Sequence, residues 1–243
     1  MCIIFYGMIS DWKSRTVLLL GEERVNYLAG CHVLVVGLGG VGAYAAEQLC
    51  RAGIGKMTIV DSDNVQESNI NRQLPALTST VGKLKTEVVG SRLLDINPQL
   101  ELMQLPVFLQ DEMIEKVLLM SKYDFVVDAI DTITPKVTLL YYTLMKHIPL
   151  VSAMGTGAKL DPSKIRIADI SKSTDCPLAR VVRHRLYRLG ITKGIPVVFS
   201  TEKSHAEAVM ETEEAFKRTT VGTISYMPAI FGCMLASYVI QHI

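Results

Sequence analysis

The sequence predicts an α/β fold with a doubly wound, mostly parallel sheet. Short β-branched runs alternate with segments of helical periodicity. A glycine-rich turn joins the first such run to the first such helix. The 243 residues, 49% apolar and 20% charged, suffice to bury a core without covalent staples.

Each element follows from local pattern. Cys31–Gly37 reads as a central strand buried on both faces. Gly40–Ala52 is the first helix, with Val41, Ala45, Leu49 and Ala52 on one side. Met57–Asp61 is the second strand, and Ser62–Gly82 is polar with no period. A helix from about Lys83 to Ile96 stops before the breaker pair Asn97–Pro98. Glu101–Val107 is a strand, Asp111–Leu119 a helix and Tyr123–Ile130 a fourth strand. Thr134–Lys146 is a helix with Thr134 as N-cap and Pro135 in its first turn. Leu150–Ala153 and Ile165–Ile170 are further strands, and Ser200–Thr220 reads as a mobile surface loop. No shift in composition divides the chain, which is expected to form one domain.

Composition excludes several classes. Twenty-five Lys and Arg against 24 Asp and Glu give a net charge of +1, so only a local patch could attract nucleic acid. Cysteines at 2, 31, 50, 176 and 233 form no CxxC pair, which argues against structural zinc or a disulfide framework and for a reducing, cytoplasmic setting. Met1–Met8 lacks the features of a signal peptide. Thr219–Gln241 carries no formal charge and could span a bilayer by length, but Gly222, Pro228 and Gly232 favour an extended piece followed by a buried helix, Ala229–Ile240. No membrane partner is expected.

The turn Gly37-Leu38-Gly39-Gly40-Val41-Gly42 satisfies GxGxxG. Its glycines permit a tight turn, backbone approach to phosphate and close helix packing, and the helix N-terminus adds positive potential. A dinucleotide with Asp61 on its ribose is the default ligand. The residues beyond the second strand shift the balance toward ATP. Asp61-Ser62-Asp63 leads into a long polar connection carrying Ser68-Asn69-Ile70-Asn71-Arg72-Gln73. Such connections are uncommon unless functional. Val81-Gly82-Lys83-Leu84-Lys85 opens the next helix with two cations, and Asp128-Ala129-Ile130-Asp131 closes the fourth strand with two carboxylates.

Together these motifs resemble the ThiF/MoeB/E1-like adenylating family, over nearly the whole chain. The resemblance implies a Rossmann-like fold with an additional C-terminal sheet and helix segment. It implies a nucleotide-binding part at about 15–153 and a substrate-binding part at about 154–243. It also implies ATP with Mg²⁺, used to convert a carboxylate into an acyl adenylate. In such chemistry two anions meet, so placed cations lower the barrier. Arg72 and Lys85 are expected on the phosphates, Asp61 on the ribose, and Asn69 and Gln73 as orienting groups. Gly37, Gly39, Gly40, Gly42 and Asp63 complete the nucleotide site. Asp131 is expected to hold Mg²⁺, a cation that favours carboxylate oxygen. Asp128 is either a cap or a turn residue, and Lys83 lies nearer solvent. By resemblance Arg15 is the family's upstream arginine, which acts across a homodimer interface.

The second half resembles a narrower branch, the tRNA threonylcarbamoyladenosine dehydratases. The matching segments are Ala129–Lys136, Gly155–Pro162, Pro177–Arg180 and Val198–Glu202. The branch implies ATP-dependent activation of the threonylcarbamoyl carboxylate at tRNA position 37, then ring closure with loss of water. Independently, Leu178–Gly190 (LARVVRHRLYRLG) predicts a basic helix. Arg180, Arg183, Arg185 and Arg188, with Lys193 beyond, are a candidate footprint for tRNA phosphates or a solvated face. Its apolar side is read as Leu178, Val181, Val182, Leu186 and Leu189, and Tyr187 as a residue that could stack on a base or, in preference, a partly buried core residue.

Cys176 reads as incidental, and no cysteine stands in Lys217–Gly222, where relatives often carry one. Cys31, Cys50 and Cys233 read as core residues and His32 as structural, while His147, His205 and His242 have no partner motif. Three alternatives remain open. One is adenylation of a small sulfur-carrier protein's C-terminus, which would bring a sulfur-transfer partner. The others are an NAD-dependent oxidoreductase and a non-catalytic nucleotide-binding scaffold.

Overall fold

Helices α1 (Ser14–Leu20) and α2 (Glu22–Gly30) precede the sheet in the computed structural model, which describes residues 11–110, 112–211 and 219–243. The expectations placed on Met1–Met8, Cys2, Asp111, Lys217 and Arg218 lie outside these residues. The chain continues through β1 (His32–Val36), α3 (Gly42–Ala52), β2 (Lys56–Val60), α4 (Lys85–Ile96) and β3 (Glu101–Leu105). It then runs through α5 (Glu112–Leu119), β4 (Phe125–Asp128), α6 (Ile133–Met145) and β5 (Leu150–Ala153). Next come β6 (Ile165–Asp169), α7 (Pro177–Arg188), β7 (Pro196–Ser200), β8 (Val209–Glu211), β9 (Thr219–Val221) and α8 (Tyr226–His242).

Seven strands form one sheet in the order β3-β2-β1-β4-β5-β7-β6. Every pairing is parallel except that of β6 with β7. The pleat sends Val33 and Val35 to a core shared with α3, α4 and α8, and Leu34 and Val36 to a second core shared with α5, α6 and α7. The uncharged C-terminal stretch therefore lies within the fold. Met227, Phe231, Leu235 and Val239 recur every four residues on the buried side of α8. A Cβ at Gly232 would stand 2.4 Å from the Val41 carbonyl oxygen, so α8 lies directly on α3. No helix among the described residues is long and apolar enough to cross a membrane.

The structure corrects several local expectations. α4 begins at Lys85 because Asn64 and Leu84 form a β-bridge and Val65 N donates to the Lys83 carbonyl. α6 takes Thr132 at its N-cap position, and Thr134 lies inside the helix, its carbonyl accepting from the Thr138 hydroxyl. Pro196–Ser200 is a strand. Part of Ser200–Thr220 is ordered as the antiparallel pair β8–β9, tied down where Ala158 N donates to the Gly222 carbonyl. On α7 the buried side is Ala179, Val182 and Leu186, at spacings of three and four, so Val181 and Leu189 are exposed. Tyr187 is 67% exposed and is no core residue. Cys233 is also exposed, because it falls off the four-residue repeat of α8.

Candidate active site and the adjoining basic cleft

The glycine turn lies between β1 and α3, at the carboxyl edge of the sheet where open α/β folds bind ligands. Gly37 has φ +87°, and a Cβ there would stand 2.8 Å from the Ala129 carbonyl oxygen. At Gly42 a Cβ would stand 1.7 Å from the Gly37 carbonyl oxygen, and at Gly40 it would press on Pro228 at 3.0 Å. Packing therefore demands glycine at 37 and 42 and leaves little room for a side chain at 40. Gly39 is different. A Cβ there would meet only the Gln73 side chain, at an ordinary 3.7 Å, and no positive φ requires glycine. Its bare backbone leaves room for a group from outside the chain. Beside it the buried Gln73 Oε1 has no hydrogen-bond partner among the described residues. The open cradle, with the Gln73 amide Nε2 beside it as a donor, fits a nucleotide phosphate, and the orphaned Oε1, an acceptor, is left for a donor group of the ligand.

Asp61, just beyond β2, closes the turn. Its Oδ2 accepts from Leu38 N at 2.6 Å and its Oδ1 from Asp63 N at 2.8 Å. Burial pushes this carboxyl up, against the pull of Lys85 and the two N–H groups. Each oxygen keeps a lone pair for a ligand hydroxyl. The Lys85 ammonium is buried and paired with Asp63 Oδ2 at 2.8 Å, and Lys85 N donates to the Asp63 carbonyl. Glycine turn, Asp61, Asp63 and Lys85 thus form one connected cluster. Lys83 is exposed, as expected.

Arg72 brings its backbone carbonyl toward Gly40, while its Nη1 donates to the Ser68 carbonyl and to Asn71 Oδ1. Asn69 is buried in the same loop. Its Oδ1 accepts from Gln66 N and its carbonyl from the N–H groups of Arg72 and Gln73, which makes it an organiser of the loop. Asp131 lies exposed beyond β4 and accepts from the Thr132 hydroxyl at 3.3 Å. Among the described residues no group of three His, Cys, Asp or Glu side chains could hold a metal. Mg²⁺ commonly needs only one or two carboxylates beside substrate phosphates, so Asp131 remains compatible with it. Arg15 is exposed on α1 and makes no hydrogen bond or ion pair to a described residue.

Two buried lysines escaped the sequence reading. Asp128 is a turn residue and more: Oδ1 accepts from Ile130 N, and Oδ2 meets the Ser152 hydroxyl at 2.6 Å and Lys136 Nζ at 2.7 Å. Lys136 also donates to the Ile130 carbonyl and so braces the segment carrying Asp131. Its signal was available, since it is the only charge in ITPKVTLLYYTLM. Lys159 donates to the main-chain carbonyls of Asp175, Ser200 and Glu202, and burial pushes its ammonium down. Glu202 takes N–H groups from Leu160 and Asp161 and also pairs with His205. His32 bonds Thr58 Oγ1 at 2.9 Å, which bears out its structural reading.

The basic helix α7 forms, and its cations divide. Arg183 turns inward, donating to the Ser173 carbonyl and hydroxyl, and Arg185 bonds Thr134 Oγ1 at 2.9 Å. Arg180, Arg188 and Lys193 are exposed and make no hydrogen bond or ion pair to a described residue. Between α7 and Lys203–Ser204 lies a cleft of about 1130 Å³, which Arg180, Arg183 and Tyr187 also line.

A ThiF family model matches residues 13–243. The chain is 39% identical over 236 residues to the tRNA threonylcarbamoyladenosine dehydratase of Bacillus subtilis, which covers 94% of this chain and 92% of that one. It resembles the crystal structure of E. coli tRNA N6-threonylcarbamoyladenosine dehydratase, TcdA, in complex with ATP, with TM-score 0.87, 35% identity and coverage of 97% and 96%. A shorter likeness, 35% over 141 residues, joins it to the molybdopterin-synthase adenylyltransferase of Escherichia coli, over 57% of this chain and 56% of that one.

Proposed function

We infer that this chain, which belongs to the ThiF family, is an ATP-dependent enzyme that dehydrates N6-threonylcarbamoyladenosine at position 37 of tRNA. The observation that carries the reading is Lys85, a buried cation held by Asp63 at the glycine turn beside Asp61. A phosphoryl site needs such a charge, and hydride transfer to a nicotinamide does not. The likeness to ATP-bound TcdA over nearly the whole chain supports the same conclusion.

In this reading the backbone at Gly39 admits the phosphates, Asp61 binds the ribose, and Arg72 and Lys85 neutralise the charge that builds on the α-phosphate. An oxygen of the threonylcarbamoyl carboxylate bonds to the α-phosphorus as the bond to pyrophosphate breaks. A nucleophile within the substrate then attacks the activated carbonyl carbon, and AMP leaves. The net result is a ring and one water fewer. No enzyme thiol is needed, in keeping with the reading of Cys176 as incidental. Asp131 would hold Mg²⁺, which when bound supplies further charge neutralisation at the phosphates.

A homodimer, with Arg15 of one protomer reaching the partner's nucleotide, belongs to the same proposal. Leu18 and Leu19, beside it on α1, are 78% and 82% exposed and would find cover in such an interface. The tRNA would meet α7 through Arg180, Arg188 and Lys193, with Arg183 and Arg185 bracing the helix, and the setting would be cytoplasmic.

One incubation tests the reaction. The protein, ATP, Mg²⁺ and bulk tRNA are combined, and the nucleosides are analysed by mass. Loss of one water from threonylcarbamoyladenosine is expected. Unchanged tRNA, with adenylation of a sulfur-carrier C-terminus instead, would overturn it in favour of the reading that the partial likeness to molybdopterin-synthase adenylyltransferase supports.

A further inference from the structure

We propose that the cleft between α7 and Lys203–Ser204 is a subsite for a second, unmodified nucleotide of the same RNA, with its base stacked on Tyr187 and its phosphate held by Arg180 and Lys203. The proposal deepens the RNA reading above and rests on it.

The cleft adjoins the reacting site. Asp131 follows β4, Gly155 follows β5, and Lys203–Ser204 follow β7, and these three strands are neighbours in the sheet. A Cβ at Gly155 would be 3.5 Å from Cys176 Sγ, so the floor of the cleft adjoins the end of β5. At ordinary strand spacing, β7 lies roughly 10 Å along the edge from β4. Arg185 on Thr134 also ties α7 to the start of α6, three residues beyond Asp131. The cleft therefore opens on the same side as the reacting site, two strands along the edge.

Its lining carries the chemistry of a nucleotide site. Arg180 and Lys203 make no hydrogen bond or ion pair to a described residue, and Asp175 is the one carboxylate among the described residues lining the cleft. Tyr187, 67% exposed, lines the cleft together with the apolar Pro177 and Val181. An exposed aromatic ring in a cleft that unengaged cations also line suits an unstacked nucleotide, because single-stranded RNA is held by base stacking and by cations along its backbone. An extended protein tail would use few of these charges.

The walls are held in place. Asp175, at φ +53°, adopts a left-handed turn that aspartate tolerates, and its carbonyl is fixed by Lys159. The same ammonium holds the carbonyls of Ser200 and Glu202, which lead into Lys203. One buried charge thus sets the separation of the two sides, and Lys159 is a positioning residue for the cleft.

The test uses a fluorescent anticodon stem-loop carrying N6-threonylcarbamoyladenosine, read both by anisotropy and by turnover. Tyr187→Ala is expected to weaken binding and raise KM on the order of tenfold, with Tyr187→Phe near wild type and the KM for ATP unchanged. Arg180→Gln and Lys203→Gln should each lower the salt dependence of binding by about one counterion. A stem-loop made abasic beside the modified nucleotide should bind wild type weakly and lose nothing further with Tyr187→Ala. Binding indifferent to Tyr187, Arg180 and Lys203 would overturn the subsite while leaving the reaction intact. Binding that depends on them without any water loss would overturn the reaction and leave the subsite intact. Competition for the cleft by a sulfur-carrier C-terminal peptide, with no RNA bound, would overturn both.

Discussion

The nucleotide half and the cleft half each bury a lysine at the carboxyl edge of the sheet, and they satisfy it in opposite ways. Lys136 meets a carboxylate, Asp128, and the pair is fully removed from water. Lys159 meets main-chain carbonyls instead, with no carboxylate at salt-bridge distance among the described residues. An ion pair loses its balance when one member goes, whereas carbonyl oxygens that lose a donor remain neutral. The first arrangement suits the segment that carries Asp131, where each partner locks the other. The second suits a joint between α7 and the end of β7, where one donor gathers strands of chain that are far apart in sequence.

Mutation separates the two arrangements. Lys136→Met should cost about 3–5 kcal/mol, because it leaves Asp128 buried and charged, and Lys159→Met only about 1–3 kcal/mol. Denaturant midpoints check the order. Adding Asp128→Asn to Lys136→Met should recover much of the loss, and no such rescue exists for Lys159→Met. Equal costs for the two single variants would show that the pairing chemistry is irrelevant. On function the halves should separate as cleanly. Asp131→Ala should lower turnover by roughly 10³-fold while stem-loop affinity stays at the wild-type value. A matching fall in affinity would place Asp131 on the RNA rather than at the phosphates.

What could be read in advance was local. The strands announce themselves in runs such as HVLVV, and the glycine turn in six consecutive residues, because both signals span less than one element. Asp61 and Lys85 were legible for the same reason, each sitting at the end of a readable strand or helix. Long-range pairings left no such trace. Lys159 meets partners 16, 41 and 43 residues away, and no spacing rule connects them. The pairing of β8 with β9 depends on distant chain returning to the Ala158 loop. The basic helix was visible as charge, but its division into braced and unengaged arginines depends on Ser173 and Thr134, which only the fold brings near.

A milder change probes the cleft half alone. Neutralising Arg180 and Arg188 together should weaken stem-loop binding several-fold, more at low salt than at high, and leave the KM for ATP unmoved. Parallel loss of ATP affinity would mean that the two halves do not act separately.

The least change is expected at Glu202, whose chain segment Lys159 anchors. Burial pushes this carboxyl up, but the N–H groups of Asp161 and Leu160 and the neighbouring His205 outweigh burial and hold it below the usual carboxylate range. An unfolded glutamate titrates near 4.3, so above that pH the group stabilises the fold in full. As pH falls below about 4.3 toward the lower folded value, that contribution is lost. Glu202→Gln should therefore reduce stability at pH 7 by about 1 kcal/mol and flatten the acid limb of the stability curve. Denaturation at pH 7, 5 and 3.5 measures both. An unchanged acid limb would show that the carboxylate contributes shape to the Leu160 turn and no charge, and that Lys159 alone holds the end of β7 against α7.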